Sequence, residues 1–231
     1  MKLLALDTSS LACSVALSLG NDLLERHEEQ AREHTRLLVP MVRELIDEAE
    51  IEMSDLDAII LGNGPGSFIG MRIAASVAQG LAHGAGLGIV PVSSLAAVAA
   101  EVFAQGDEEF VAVTQDAHMS EVYLGLFERS ADNLPVARSP ERIHDQSAIA
   151  ELDDLQPGSC VAAGAGWQRY PTLAENNRPN LSKMSGNLYP RAAHLLSIGA
   201  KMFRDSGTIA PAELTPAYLR QKVAEKPGQT P

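Results

Sequence analysis

Short apolar runs separated by tight turns open the chain. Residues 2–7 are apolar between their charged ends, and a second apolar run follows at 13–19 after the turn Thr8-Ser9-Ser10. A third segment, near residues 23–30, begins after Gly20-Asn21-Asp22. Apolar runs of this length between turn residues are typical of strands, so the pattern predicts a three-stranded meander whose first strand is buried.

Residues 32–50 change to the spacing of a helix. One face carries the apolar positions Leu37, Leu38, Met41, Val42, Leu45, Ile46 and Ala49. The wide stripe predicts a helix with an extensive apolar contact, and Pro40 should kink that helix or mark its first turn. The pattern next predicts a strand at 59–61, a glycine-rich turn, a helix from about Phe68, a strand at 88–92, and a helix over 95–103 capped by Ser93 or Ser94.

The second half of the chain begins in the same way as the first. Residues 110–116 and 121–127 are strand-like and enclose a turn at 117–120. Counted from Asp7 and Asp116, the two predicted hairpins superimpose without a gap. This repetition favours a duplicated α/β fold with lobes at 1–104 and 105–231, and it leaves open whether the last helix packs back on the first lobe.

The most distinctive stretch is the glycine-rich turn Gly62-Asn-Gly-Pro-Gly-Ser-Phe-Ile-Gly-Met-Arg72. Between a strand and a helix, such a turn aims backbone N–H groups at whatever lies above it, which suits an anion such as phosphate. The turn lacks the Lys-Ser/Thr ending of a P-loop, and Pro65 removes one donor. The alternative, in which the glycines serve only a tight turn and close helix packing, stays open. Ser67 is expected to cap the following helix.

Charge narrows the range of functions. The 231 residues carry a formal net charge of −12, which argues against a protein that binds nucleic acid on its own. The last quarter is nevertheless basic and contains Lys183, Arg191, Lys201, Arg204, Arg220 and Lys222. A solvated surface is the preferred explanation, and a role beside a polyanion held mainly by another protein stays open.

The cysteines and the hydropathy pattern indicate a cytoplasmic protein. Cys13 and Cys160 fit no metal or redox spacing, and we expect both as buried thiols in a reducing compartment. Asp7 interrupts the first apolar run, so residues 1–20 do not resemble a secretory signal, and no stretch is long enough to span a membrane. We expect no membrane contact.

Four motifs together resemble one known family. They are Leu6-Asp-Thr-Ser-Ser10 with Ser14-Val-Ala-Leu17, Gly-Pro-Gly-Ser-Phe-x-Gly-x-Arg ending at Arg72, Asp116-Ala-x-x-x-Glu-Val-Tyr123, and Pro216-x-Tyr-Leu-Arg220. In this order, from residue 4 to residue 220, they look like the TsaB family, also called YeaZ. The sequence departs from the usual family pattern at Ile69, commonly Thr, and at His118, commonly Arg.

The resemblance implies a bacterial protein of the actin-like (ASKHA) fold, in which two duplicated lobes face each other across a cleft. It implies a subunit with no chemistry of its own, required for threonylcarbamoylation of the adenosine beside the anticodon in tRNAs that read codons starting with A. The implied partners are the larger paralogue TsaD, which is the transferase, the ATPase TsaE, and a second copy of the chain when it is isolated. The tRNA would be contacted only within the complex.

The residues give an independent reason to expect neither catalysis nor a cofactor. TsaD carries a metal-binding His-x-x-x-His directly after an Ile-Pro-Val strand, and the corresponding positions here are Ser94 and Val98. Valine has no donor atom, and two imidazoles on one helix face are the minimum for such a metal site. The competing interpretation is an ATP-dependent phosphotransferase of the same fold, which the lack of glycines around Asp116 disfavours.

Two sets of site residues follow from the motifs and the resemblance. The remains of a phosphate or nucleotide cleft, in which the two aspartates face each other, are expected at Asp7, Thr8, Ser9, Gly64, Gly66 and Asp116. The face that contacts TsaD or a second copy is expected on two helices, at His34, Leu37, Leu38, Met41, Leu45, Ile69, Arg72, Ile73, Ser76 and Val77. A charge on this face, as in Met41→Asp, is expected to separate the subunits and leave a folded monomer.

Overall fold

The computed structural model describes residues 1–30 and 33–220, which form two lobes that are each built on one sheet. The strands of the first lobe are β1 (Lys2–Asp7), β2 (Cys13–Leu19), β3 (Asp22–Glu28), β4 (Ala58–Gly62) and β5 (Ile89–Val92). Their order is β3-β2-β1-β4-β5; the first three are antiparallel, and β1, β4 and β5 run parallel. The predicted meander is confirmed.

Two helices cover one face of this sheet. They are α1 (His34–Glu48) and α2 (Phe68–Ala85), and they enclose a core that includes Leu4 and Leu6 of β1. The predicted start of the second helix at Phe68 and its cap are confirmed, since the Ser67 hydroxyl accepts a hydrogen bond from Gly70 N at 3.2 Å. Pro40 lies inside α1, so its placement in the first turn is wrong.

The second lobe repeats this design. Its strands are β6 (Phe110–His118), β7 (Glu121–Arg129), β8 (Pro135–Ala137), β9 (Arg142–His144), β10 (Cys160–Ala163) and β11 (Leu181–Met184). Their order is β11-β10-β6-β7-β8, with β9 also paired to β7. Helix α3 (Ser94–Gln105), capped by Ser93, covers one face, and α4 (Ala165–Arg169) and α5 (Pro171–Asn177) cover the other.

The two hairpins are related, but their registers differ. Asp7 pairs with Ser14, whereas Asp116 pairs with Val122, one position closer along the chain. Strand β6 continues to His118, with an irregularity after Asp116, so the turn is confined to the next two residues. The gap-free superposition and the turn at 117–120 are therefore wrong, because the second hairpin closes more tightly than the first.

The chain returns to the first lobe after the second sheet is complete. Helix α6 (Ala192–Ser206) packs on the other face of the first sheet, where its core includes Leu3, Ala5 and Ile60. Gly199 allows this approach, since a Cβ there would lie 2.5 Å from a side-chain carbon of Ile60. The first lobe is therefore a sheet between two helical layers, one of which comes from the C-terminal part of the chain.

Candidate functional site

The glycine-rich turn lies directly against the bend between β1 and β2. A Cβ on Gly66 would lie 2.1 Å from Ser9 O, and a Cβ on Gly70 would lie 1.9 Å from Thr8 O. The Ser67 N–H donates to Ser9 O at 2.6 Å. The close approach of the two backbones requires glycine at both positions. It also uses the Ser67 N–H, which would otherwise be available to an anion. The structure therefore favours close packing as the reason for this part of the turn.

Asp7 is sealed inside the first lobe. Its carboxylate is 0% exposed and accepts hydrogen bonds from Ser9 N at 2.7 Å, Ser9 Oγ at 2.8 Å and Ser94 Oγ at 2.5 Å. Burial raises the pKa of the Asp7 carboxyl, while the hydrogen bonds from Ser94 and Ser9 act in the opposite direction. The expectation that Asp7 faces Asp116 across a cleft is wrong, because Ser94 closes off the carboxylate.

Ser94 and Val98, the two positions that the resemblance matches to metal ligands, both have structural roles. Ser94 also accepts a hydrogen bond from Gly64 N at 3.0 Å, so one hydroxyl joins β1, the glycine-rich turn and α3. Val98 is fully buried in the core that α3 shares with the second sheet. An aliphatic side chain in an apolar core offers no ligand atom to a metal.

A cleft of about 970 Å³ lies between the lobes. Of the predicted cleft residues, Ser9, Gly66 and Asp116 line it, whereas Asp7, Thr8 and Gly64 are buried behind its wall. The second lobe contributes polar side chains that no motif predicted, namely Gln115, Gln168, Arg169 and Tyr189. These come from separate segments, so their proximity depends on the tertiary fold.

Asp116 lies near the end of β6, beside the turn of the second hairpin. Its Oδ1 accepts hydrogen bonds from the Tyr170 hydroxyl at 2.8 Å and from His118 N at 2.8 Å, and its side chain is 32% exposed. The ring of His118 lies beside it, with Nδ1 3.5 Å from Oδ2. The carboxylate is therefore engaged within its own lobe, although it borders the cleft.

The predicted association face divides into a buried part and an exposed part. Leu38, Met41 and Leu45 are 0%, 6% and 0% exposed and belong to the core between α1, α2 and the first sheet. His34 is also buried, with Nε2 3.0 Å from Ser10 O. Assigning these four residues to an association surface is a mistake, because the wide stripe of α1 contacts a sheet and a neighbouring helix simultaneously.

The remaining members of that face do reach the surface. Ile69 is 70% exposed, Ser76 is exposed, and the others are half-buried along α1 and α2: Leu37, Arg72, Ile73 and Val77. Two further apolar side chains, Val39 and Phe68, are 48% and 45% exposed. Val39 lies off the helical stripe and Phe68 begins α2, so the apolar periodicity of the sequence does not include them.

The basic residues of the last quarter are mostly paired with acids. Lys183 contacts Glu108, Arg191 contacts Glu25, Lys201 lies 3.2 Å from Asp205, and Arg220 contacts Glu121. These pairs are distributed over both lobes, and Lys222 lies outside the described residues. The pairing supports the solvated-surface explanation for the described members.

The duplicated sheets, the helices on both faces and the cleft between the lobes define the class as a two-lobed α/β protein of the actin-like fold.

A family model described as "TsaD: tRNA N6-adenosine threonylcarbamoyltransferase" matches residues 25–163. The tRNA threonylcarbamoyladenosine biosynthesis protein TsaB of Escherichia coli is 34% identical, over 98% of this chain and 97% of that protein. Its namesake in Haemophilus influenzae is 35% identical, over 98% and 96%. The chain belongs to the TsaB (YeaZ) family.

Solved structures agree with this assignment. YeaZ from Pseudomonas aeruginosa has a TM-score of 0.86 and 35% identity, over 94% of this chain and 99% of that one. A second Pseudomonas aeruginosa structure, titled as similar to peptidase YEAZ, has the same TM-score and 34% identity, over 95% and 99%. No helix within residues 1–30 and 33–220 is both long and apolar enough to cross a membrane.

Proposed function

We propose that this protein is a non-catalytic subunit that binds and activates the transferase TsaD, together with the ATPase TsaE, for threonylcarbamoylation of tRNA. The modified base is the adenosine beside the anticodon in tRNAs that read codons starting with A. The family names of its relatives support the pathway, and the resemblance of the motifs supports the division of labour. The tRNA is contacted only within this complex, in the cytoplasm.

The observation that carries the proposal is the outer face of α1 and α2, which borders the cleft at Ile69 and Ile73. It is formed by Leu37, Val39, Phe68, Ile69, Arg72, Ile73, Ser76 and Val77. Ile69, Val39 and Phe68 are its most exposed apolar members, at 70%, 48% and 45%. Large apolar side chains exposed together on neighbouring elements are a common sign of a protein contact. We assign this outer face to TsaD and, in the isolated protein, to a second copy of the chain.

The buried residues of the first bend and of α3 support a role without chemistry. Asp7, which begins the first bend, is enclosed by three hydrogen bonds, and Val98 is packed in an apolar core. A carboxylate acting as a ligand or a base must reach the substrate or the metal it serves. The Asp7 carboxylate is instead used to join the bend to α3.

Reconstitution tests this function. TsaD, TsaE, an unmodified tRNA and the substrates of the reaction would be combined with and without this chain, and the threonylcarbamoyladenosine would be quantified by mass spectrometry of nucleosides. We expect modification only when the chain is present. The same level of modification without the chain, or modification by the chain without TsaD, would contradict the proposal.

A further inference from the structure

The motif Pro216-x-Tyr-Leu-Arg220 lies at the end of a segment attached to the first lobe. Ile209 exchanges two backbone hydrogen bonds with Ile89 of β5, at 2.9 and 3.0 Å. Leu214 is 7% exposed in the core beneath α2. Asn63, in the glycine-rich turn, donates its side-chain amide to Thr215 O at 3.1 Å and accepts from Ala217 N at 3.2 Å.

The following residues are attached to the second lobe. Leu219 packs against the core that α3 shares with the second sheet. Arg220 donates to Ala117 O at 3.0 Å and forms an ion pair with Glu121, and its side chain is only 19% exposed. Ala117 and Glu121 flank the tight turn of the second hairpin. The chain therefore passes from one lobe to the other between Ala217 and Leu219.

The residue between these attachments contacts the exposed start of α2. The rings of Tyr218 and Phe68 lie 5.8 Å apart. The Arg72 guanidinium carbon lies 3.2 Å from the Phe68 ring centroid and 4.9 Å from that of Tyr218, and Arg72 Nη1 donates to Phe68 O at 3.1 Å. Cation–π contacts of this kind hold the three side chains in one arrangement.

We propose that residues 214–220 are a latch that fixes the angle between the lobes and holds the first turn of α2 in the arrangement presented to TsaD; the second part rests on the proposed function. One residue separates the two attachments, and an extended residue spans only about 3.3–3.6 Å. A motion that moves these two attachments further apart than this span therefore has to break the contacts of Asn63 or those of Arg220. Lobes of two-domain proteins otherwise rotate about a few hinge residues.

The latch can be tested on the isolated protein by measuring the distance between the lobes. Spin labels would be placed on Glu44→Cys in α1 and on Asp154→Cys in the second lobe, both exposed positions. The native Cys13 and Cys160 are buried, and burial raises the pKa of each thiol to about 12, so they should stay unlabelled. Double electron–electron resonance then reports the distribution of interlobe distances.

Arg220→Met removes the donors of the latch and keeps an unbranched side chain. The matched control is Arg138→Met, because Arg138 pairs with Glu128 at 2.8 Å and lies over the Phe110 ring, entirely within the second lobe. Where Arg220→Met does not fold, Glu121→Gln removes the same ion pair from the other side. Melting temperature is recorded for each variant, so that a change in lobe angle is separated from a general loss of stability.

We expect Arg220→Met to broaden the distribution of interlobe distances. Amide exchange in residues 66–72 should also become about tenfold faster, because the hydrogen bond lost from the charged Arg220 is worth at least that factor in an opening equilibrium. Its half-saturation concentration for TsaD should rise several-fold. Arg138→Met should match the wild type in all three. A distribution, exchange rate or TsaD affinity that Arg220→Met leaves unchanged would overturn the latch. Failure of the proposed function would instead appear as wild-type protein that does not bind TsaD.

Discussion

The hydrogen bonds around Asp7 lead to a quantitative prediction for Ser94→Ala. The substitution removes a donor from a fully buried carboxylate and leaves Gly64 N without its acceptor. A hydrogen bond to a charged group contributes about 1.5–3 kcal/mol, and an unsatisfied buried donor costs about 1–3 kcal/mol. We therefore expect a loss of roughly 2.5–6 kcal/mol in the free energy of unfolding. For a protein of this size each kcal/mol lowers Tm by about 2–4 °C.

The loss should depend on pH in a defined direction. Burial raises the pKa of Asp7 in the folded state, so the folded protein takes up this proton at a higher pH than the unfolded chain. Lowering the pH through that raised pKa therefore removes the cost of the buried charge. Because Ser94 acts on the charged form, the deficit of Ser94→Ala should be largest at high pH and should shrink as the pH falls through the raised pKa of Asp7.

Thermal unfolding of both proteins over a series of pH values, from alkaline to acid, measures these two effects. Ser67→Ala is the matched control, since it removes a serine that accepts one capping hydrogen bond at the surface, worth about 1 kcal/mol. The reasoning would be refuted by a Ser94→Ala variant that melts no lower than Ser67→Ala, or by a deficit that is the same at every pH.

Three further predictions follow from burial and hydrogen bonding. Met41→Asp should unfold the first lobe, because Met41 is 6% exposed in the core; a folded monomer by circular dichroism and sizing would contradict this. Burial raises the pKa of Glu141 from 4.5 to about 7, so the stability of the protein should fall as the pH rises across that range. Glu141→Gln should therefore raise Tm at pH 8 and not at pH 4.5. Equal shifts of Tm at both pH values would contradict this prediction. Calorimetry with ATP and magnesium should show no binding at micromolar concentrations, since Ser9 and Ser94 enclose the Asp7 carboxylate. A saturable heat of binding would instead support the ATP-dependent phosphotransferase interpretation.

Sequence periodicity identified most elements, because each strand and helix buries residues at its own spacing. It could not identify what covers each face. The stripe of α1 is wide because β2 and α2 both pack on it, so its width does not indicate an intermolecular contact. In the same way, no local pattern shows that α6 would close the far side of the first sheet.

The site was less predictable than the fold, because its contacts join distant parts of the chain. Asp7 and the glycine turn stand out as motifs, but the contact between Asp7 and Ser94 spans 87 positions and removes the carboxylate from the cleft. The motif that ends at Arg220 is recognisable from the sequence alone. Its role depends on Arg220 reaching Glu121, 99 positions away, which only the folded structure reveals.

The affinity of TsaD for two surface variants tests the central claim most directly. Ile69→Asp places a carboxylate on the outer face of α1 and α2, and Val136→Asp places one on β8 of the second lobe, where the native side chain is 54% exposed. Burying an ionised group in a dry interface costs several kcal/mol, and each 1.4 kcal/mol is a factor of about ten in Kd. We predict at least a tenfold weaker Kd for Ile69→Asp, a wild-type Kd for Val136→Asp, and unchanged circular dichroism for both. A wild-type Kd for Ile69→Asp would contradict the assignment of this face to TsaD.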